Sequence, residues 1–260
     1  MLKKERQQYI LKRVNEQGSA ITIELTKELG VSEDTIRKDF QELSRSGKVI
    51  RIHGGILKMD SSKIDYSLRE SQQPTAKKIL AAHAVEYVTD KKVLFIDAGT
   101  TNLRLAEQLP KSYTGTVITN APSIALTLCS YPNINVVILG GLIDKTSRIV
   151  IGTNAVNQLG TLNLECCVLG VGAISVEHGI TYPSQEEAIL KKTAIIHSKY
   201  VLAIATKEKL DHVSTFFCCP ISELDYLITN ETNEAVLKSF SNAGVQVISI
   251  PTLEESQPNS

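Results

Sequence analysis

The run VLFIDAGTT, residues 93 to 101, ends an apolar stretch on an acid, a glycine and two hydroxyl residues. A strand that breaks at glycine and restarts as a helix leaves free backbone amides at the helix start. With Gly99 and the hydroxyls of Thr100 and Thr101, those amides suit a phosphate or carboxylate, while Asp97 suits a sugar hydroxyl. Taken alone, the same residues also make a plain strand-to-helix turn with a threonine cap. Repetition of the pattern favours a binding site. Thr119 and Asn120 end TVITN, Gly140 and Gly141 end NVVILGG, GVG ends CCVLGVG, and Lys209 follows YVLAIAT. Each lies at the C-terminal end of an apolar strand, where open parallel sheets bind ligands. Lys209 can neutralise an anion there. Glu187 and Lys191, four apart in QEEAILKK, share a helix face. They read either as part of the site or as a surface pair worth a few tenths of a kcal/mol (~0.3).

A second constellation lies near the N-terminus. SEDTIRKDFQELSRS, residues 32 to 46, carries the acids Glu33, Asp34, Asp39 and Glu42 against the bases Arg37, Lys38 and Arg45. Ile36, Phe40 and Leu43, at spacing four and three, define a buried helix face. Lys38, Gln41 and Arg45 then point outward, with Arg37 and Ser44 beside them, and Asp39 and Glu42 turn to the opposite flank with Thr35. Glu33 and Asp34 occupy the first turn, where carboxylates favour the helix dipole, and Ser32 can cap it. A shorter helix capped by Thr22, with Leu25 and Leu29 inward, and a turn at Gly30 and Val31 precede it. That order is a helix-turn-helix. KVIRIHGGILK then reads as a hairpin about Gly54 and Gly55, which makes the motif winged. A small helical bundle for protein contact fits the helical pair as well.

The elements that must position these residues follow from the rest of the pattern. Ile10, Leu11 and Val14 give a helix over about 4–16, ended by Gly18. Met59 to Thr75 is polar without a strong period, and reads as a linker. From residue 76 onward apolar strands (VLFID, TVITN, NVVILGG, CCVLGVG, YVLAIAT, YLIT, VQVISI) alternate with helical stretches. Alternation of this kind implies right-handed crossovers and a mostly parallel sheet covered on both faces. The fold expected is α/β, with a DNA-binding head over residues 3–58, a linker over 59–75 and an effector-binding and oligomerisation domain over 76–250.

Composition bounds the function classes. The 260 residues hold 28 basic and 28 acidic side chains, so net charge does not identify a partner. Residues 1–60 hold twelve Lys and Arg against nine Asp and Glu, a slightly basic head on a slightly acidic body. No apolar run is long enough to span a membrane and the start does not resemble a signal peptide, so a cytoplasmic protein without a membrane partner is expected. Cys129, Cys166, Cys167, Cys218 and Cys219 are odd in number and lack ligand spacing, which fits buried small residues and no metal or other cofactor.

VSEDTIRKDFQELSRSGKVIRIHGG resembles the winged helix-turn-helix signature of DeoR-family transcriptional regulators, a V-S-x-x-T-[IV]-R-[RK]-D-[LF]-x-x-L run followed by H-G-G. That resemblance implies DNA contacts from Ser32, Thr35, Arg37 and Lys38 at the helix front and from His53 and Gly54 on the wing. Arg37 and Lys38 can reach phosphates or guanine edges, and the glycine lets the wing backbone approach closely. His53 reads less well as a mere turn residue than as a contact, whereas Arg51 and Lys58 read equally as solvated charges and phosphate contacts. The likeness runs from about residue 3 to 250. DAGTTNLRLAEQL resembles the family's D-S-G-T-T stretch, and EEAILKK its E-A-x-x-K segment. It implies an effector domain related to the ribose-5-phosphate isomerase fold that senses a phosphorylated sugar, with Asp97, Gly99, Thr100, Thr101, Thr119, Asn120, Gly141, Glu187, Lys191 and Lys209 as contacts. Three positions depart from the family pattern: Glu165 stands where Asp is frequent, Gly172-Ala173 where a small-Gly pair is usual, and Thr206 where an acid precedes Lys209.

Two functions follow. The first is a regulator that binds double-stranded operator DNA as a homodimer or homotetramer, represses a carbohydrate operon, and responds to a sugar phosphate. The second is a sugar-phosphate isomerase with an appended head, which requires an acid and a base in one crevice, such as Asp97 with Glu187 or Lys209. Thr206 in place of an acid counts against the enzyme.

Overall fold

The computed structural model describes residues 2–45, 49–52, 54–58 and 66–252, apart from the side chains at 15, 16, 45, 50, 57 and 58. It divides into two compact units, Met1–Ile64 and Asp65–Ser260.

The first unit runs α1 (Lys3–Gln17), β1 (Ser19–Ile21), α2 (Thr22–Leu29), α3 (Glu33–Arg45), β2 (Val49–Ile52) and β3 (Gly55–Lys58). Ile10, Val14, Leu25, Ile36, Phe40, Leu43, Val49 and Ile56 form one buried core, so the expected helix faces turn inward. Gly30, left-handed at φ 64°, closes α2 before the turn into α3. Two features depart from the sequence pattern. The three-residue β1 adds an antiparallel edge to the hairpin, in the order β1-β3-β2. Thr22 does not cap α2, because Ile21 holds the cap position. Instead the Thr22 amide donates to Gly54 O at 2.9 Å, which ties α2 to the wing.

The second unit begins with α4 (Tyr66–Ser71) and α5 (Pro74–Val85). It continues with β4 (Val93–Ile96), α6 (Thr100–Gln108), β5 (Gly115–Thr119), α7 (Pro122–Leu128) and β6 (Ile134–Ile138). Next come β7 (Leu142–Asp144), β8 (Ile149–Ile151), α8 (Thr153–Leu159), β9 (Leu164–Gly170), β10 (Ala173–Ser175), β11 (Gly179–Tyr182) and α9 (Gln185–Ile196). The last elements are β12 (Ser198–Ala205), β13 (Phe216–Cys219), β14 (Tyr226–Thr229), α10 (Glu234–Asn242) and β15 (Gln246–Ser249). Seven parallel strands form one sheet in the order β15-β14-β12-β9-β4-β5-β6. This is the α/β architecture with a mostly parallel sheet that the alternation predicts.

Each face of that sheet has its own core. Leu94 and Ile96 pack with Leu80, Leu105 and Ile124, whereas Phe95 packs with Leu190, Ala194 and Phe240. Cys166 and Cys167 fall into these two different cores, so neighbouring thiols face opposite sides of the sheet and serve as small apolar residues. Burial pushes the Cys166 thiol up to about 12.

The stretch read as a linker differs in its second half. Residues 66–71 form α4, anchored by Tyr66, which is 4% exposed. Its amide donates to Thr146 O at 3.2 Å in the turn between β7 and β8, and the Arg148 guanidinium lies over its ring at 4.9 Å. A six-residue helix that packs through one aromatic leaves no periodicity to read.

Candidate functional site

The head presents the residues singled out on α3 at its front. Ser32, Arg37 and Lys38 are exposed and Thr35 is half-buried. Ser32 caps the helix through its hydroxyl, which accepts from the Thr35 amide at 3.3 Å and lies 2.9 Å from the Thr35 hydroxyl, while its carbonyl accepts from the Ile36 amide at 3.2 Å. Arg37 is paired with Glu33 one turn back, at 3.0 Å, an exposed pair that a phosphate can displace at little cost. Arg37 and Arg51 line one shallow cleft between α3 and the hairpin, with Thr22 and Gly54 beside them. His53 and the side chains of Arg45 and Lys58 lie outside the described residues.

The acids Asp39 and Glu42 lie on the flank away from Arg37 and Lys38, as the helical wheel predicts, and that flank packs against α1. Asp39 is 1% exposed and accepts from Arg6 of α1 at 2.5 Å and from Gln7 at 3.2 Å. Glu42 accepts from Lys3 at 2.7 Å and Gln7 at 2.8 Å. Half of the negative charge on α3 is therefore used to dock α1, and the opposite side of α3 keeps Arg37 and Lys38.

In the larger unit, Asp97 is fully buried at the end of β4. Its Oδ2 accepts from the Gly170 amide at 2.8 Å and from Lys191 Nζ at 2.5 Å. Lys191, also buried, donates to Gly170 O at 3.1 Å and pairs with Glu187 at 2.9 Å. It sits 4.4 Å from the centre of the Tyr182 ring, whose hydroxyl donates to Gly170 O at 2.8 Å. The Glu187/Lys191 pair is thus no ordinary surface pair, because the lysine reaches an acid 94 residues away. Burial alone would lower the Lys191 amine, but the carboxylates of Asp97 and Glu187 more than offset it and hold the amine above the ordinary lysine range. Burial pushes the Asp97 carboxyl up, opposed by the Lys191 charge and the Gly170 amide.

Around that anchor three buried polar atoms have no hydrogen-bond partner: Asp97 Oδ1, Asn102 Oδ1 and Asn120 Nδ2. Their residues are otherwise committed to the loop. Asn102 Nδ2 donates to Asp97 O at 2.8 Å, and Asn120 Oδ1 accepts from the Ala98 amide at 2.9 Å. Two acceptors and a donor, at the ends of β4 and β5 and in the first turn of α6, match a polyhydroxyl ligand, since buried polar groups are normally satisfied. Gly99 has φ 152° at the start of α6, a conformation that favours glycine, and Thr100 and Thr101 open the helix behind it. A Cβ at Gly170 would meet Ala98 O at 2.2 Å, so only glycine lets β9 approach this loop. Thr119 shapes the loop, because its hydroxyl donates to Ile96 O at 2.6 Å and accepts from the Ala121 amide at 3.1 Å. Gly141 packs where a Cβ would meet Ile151 O at 2.5 Å.

Lys209 lies on a short turn after β12, and its neighbourhood contains residues that sequence reasoning missed. Lys77 of α5 is 7% exposed, and its amine donates to Arg69 O. Burial, then the positive charges of Lys209 and Arg69, pull that amine down to about 8. Arg104 adds to the positive field, and Glu208, which accepts from Gln73, opposes it. The Arg69 Nε is buried without a partner. Lys77, Arg69 and Arg104, which no sequence motif marks, thus share one positive field with Lys209.

Of the three departures, Glu165 lies far from this chemistry, at the start of β9, where it accepts from the Lys92 amide at 2.7 Å. Ala173 begins β10, and Thr206 precedes the turn that carries Lys209.

The family described as "DeoR-like helix-turn-helix domain" matches residues 6–62, and that described as "DeoR C terminal sensor domain" matches residues 72–231. The chain is 32% identical over 251 residues to the HTH-type transcriptional regulator GlpR of Haloferax volcanii, covering 95% of this chain and 98% of that one. It is 31% identical over 251 residues to the HTH-type transcriptional repressor GlcR of Bacillus subtilis, covering 95% and 96%. Among solved structures, ribose 5 phosphate isomerase A from Neisseria gonorrhoeae aligns with a TM-score of 0.39 and 19% identity over 55% of this chain and 56% of that chain.

Proposed function

The chain belongs to the DeoR family of helix-turn-helix transcriptional regulators, and from that membership we propose that it is a cytoplasmic repressor of a carbohydrate-metabolism operon, modulated by a phosphorylated sugar. In this reading residues 3–58 bind the operator through Ser32, Thr35, Arg37, Lys38, His53 and Gly54. The second unit, from residue 65 onward and so including α4, holds the effector and joins copies of the chain into a homodimer or homotetramer, with the expected linker shortened to the residues before it.

The observation that carries the effector reading is the trio of unpartnered buried atoms on Asp97, Asn102 and Asn120. The trio suits the hydroxyls of a sugar. The helix start at Thr100 and Thr101, with Lys77, Arg69 and Lys209, suits its phosphate. Asp97 is held in place by Lys191, which is itself held by Glu187, so a ligand meets a preformed wall. Occupation of the crevice changes operator affinity only as far as the ligand distinguishes two arrangements of the protein. A coupling of about 1–3 kcal/mol gives roughly 5 to 150-fold.

Binding without turnover is the reading we favour for this crevice. The acid that an isomerase would use as base, Asp97, has one oxygen already committed to Gly170 and Lys191. A thermal-shift series with pentose and hexose phosphates tests the reading, because a ligand at 100 times its Kd adds about 2.7 kcal/mol of stability. The stabilising compound should then alter binding to the upstream DNA in a mobility-shift assay. Absence of any stabilising sugar phosphate, or aldose-ketose turnover lost in Asp97→Ala, would reject it.

A further inference from the structure

The seven-stranded sheet ends at β6, and this edge lacks the protection that edge strands of monomeric proteins carry. Residues 134–143, INVVILGGLI, contain no charged residue and no proline, the usual guards against strand addition. Leu139 donates its amide to Thr119 O on β5 at 2.9 Å. Backbone groups alternate along a strand, so the N–H and C=O of Ile134, Val136 and Ile138 face the open side. Exposed apolar side chains flank them. Val137 and Ile138 lie on the strand, Leu126 (75% exposed) on α7, and Leu142 (70%) and Ile143 on β7.

We propose that β6 is a self-association edge, along which two copies of the chain pair antiparallel about a two-fold axis at Val136 and join their sheets into one. Three observations select a second copy as the occupant. The open donors and acceptors repeat symmetrically about Val136, so the strand matches itself when reversed, with Ile134 opposite the partner's Ile138. The segment carries no charge, so nothing repels when it meets its own image, whereas like charges directly opposite destabilise paired strands. The proposed function also requires two heads related by a two-fold axis, and the choice of partner rests on that reading. A stable interface engages roughly 20–30 residues a side, more than one short strand supplies. Leu126, Leu142 and Ile143 extend the apolar surface beyond it.

Sedimentation equilibrium of the full chain without DNA tests the proposal with two variants of different kind. Val137→Lys places like charges near the axis. Ile138→Pro removes an outward amide without touching the ladder to β5, a setting in which a strand tolerates proline. Each should weaken self-association by about tenfold or more with an unchanged circular dichroism spectrum, while Ile196→Lys on the exposed face of α9 should not. A monomeric wild type, an unchanged mass in both variants, or equal dissociation by Ile196→Lys would overturn it. If both variants misfold, hydrogen exchange of the wild type decides. Val136 and Ile138 amides that are protected, and lose protection on dilution, support the edge, and rapid exchange at every concentration overturns it. None of these readouts involves DNA, so an edge that fails leaves the operator-binding reading standing, and the mobility shift tests that reading separately.

Discussion

The two units use buried ion pairs in opposite ways. In the head, Arg6 and Asp39 meet between α1 and α3, and Glu42 with Lys3 extends the same seam. These charges hold helices together and leave the candidate DNA face of α3 untouched. In the larger unit, Asp97 and Lys191 meet inside the candidate site, and the pair positions an acid whose second oxygen is buried without a hydrogen-bond partner. In the head, therefore, the fold-holding charges and the candidate DNA-facing charges are different residues. In the crevice they are two ends of one carboxylate.

The largest expected effect separates these uses directly. Lys191→Met leaves Asp97 buried without its cation, and removal of one partner from a buried pair costs about 3–5 kcal/mol. Denaturant unfolding should show that loss, and Asp97→Asn added to Lys191→Met should recover a large part of it. A single variant as stable as the wild type breaks the comparison. Asp39→Ala should cost less, about 2 kcal/mol, because the freed Arg6 side chain lies nearer the surface (11% exposed against 2% for Lys191). It should also leave effector binding unchanged, whereas Lys191→Met abolishes it.

The same contrast explains what the sequence made legible. Four of the head's candidate contacts lie at the front of one helix, so the spacing of Ile36, Phe40 and Leu43 suffices to orient Arg37 and Lys38. The role of Asp39 was hidden because its partner, Arg6, lies on α1, where no local pattern marks it. In the larger unit the strand ends carrying Asp97 and Asn120 were legible from apolar runs that stop at polar residues. That Lys191 reaches Asp97, that Lys77 and Arg69 join Lys209, and that Glu165 falls at the far end of the sheet depend on contacts between distant segments. The hairpin of β7 and β8 and the small sheet of β10, β11 and β13 were also missed, since strands of three or four residues carry too few alternations to stand out.

Lys77 gives the next prediction, of intermediate size. Its amine, pulled down to about 8, is charged at neutral pH and loses its proton as pH rises through that value. Affinity for a sugar phosphate should fall above about pH 8, by up to roughly tenfold for one lost charge-assisted contact, and Lys77→Met should flatten the profile. The sign for stability is opposite. Between about 8 and the ordinary lysine value the unfolded chain holds a proton that the folded chain has released, so this group's contribution to stability rises with pH. Calorimetric titrations of the ligand at pH 7 and 9 check the first effect. Affinity that is independent of pH would remove Lys77 from the phosphate side.

The smallest effects concern the exposed face of α3, where the comparison predicts that charge is tunable without harm to the fold. Arg37→Ala should weaken operator binding by at least about 1 kcal/mol, and Glu42→Ala, on the side turned to α1, should change it little. The exposed pair of Arg37 with Glu33 adds a finer test. If Glu33 competes with a phosphate for the guanidinium, Glu33→Gln should tighten operator binding by less than about threefold, within the range of exposed ion pairs, and the gain should vanish in the presence of Arg37→Ala. Competition between the two anions is the only route by which that single change and that double change come out different. A gain that persists without Arg37 would assign the effect to the general field of the helix start.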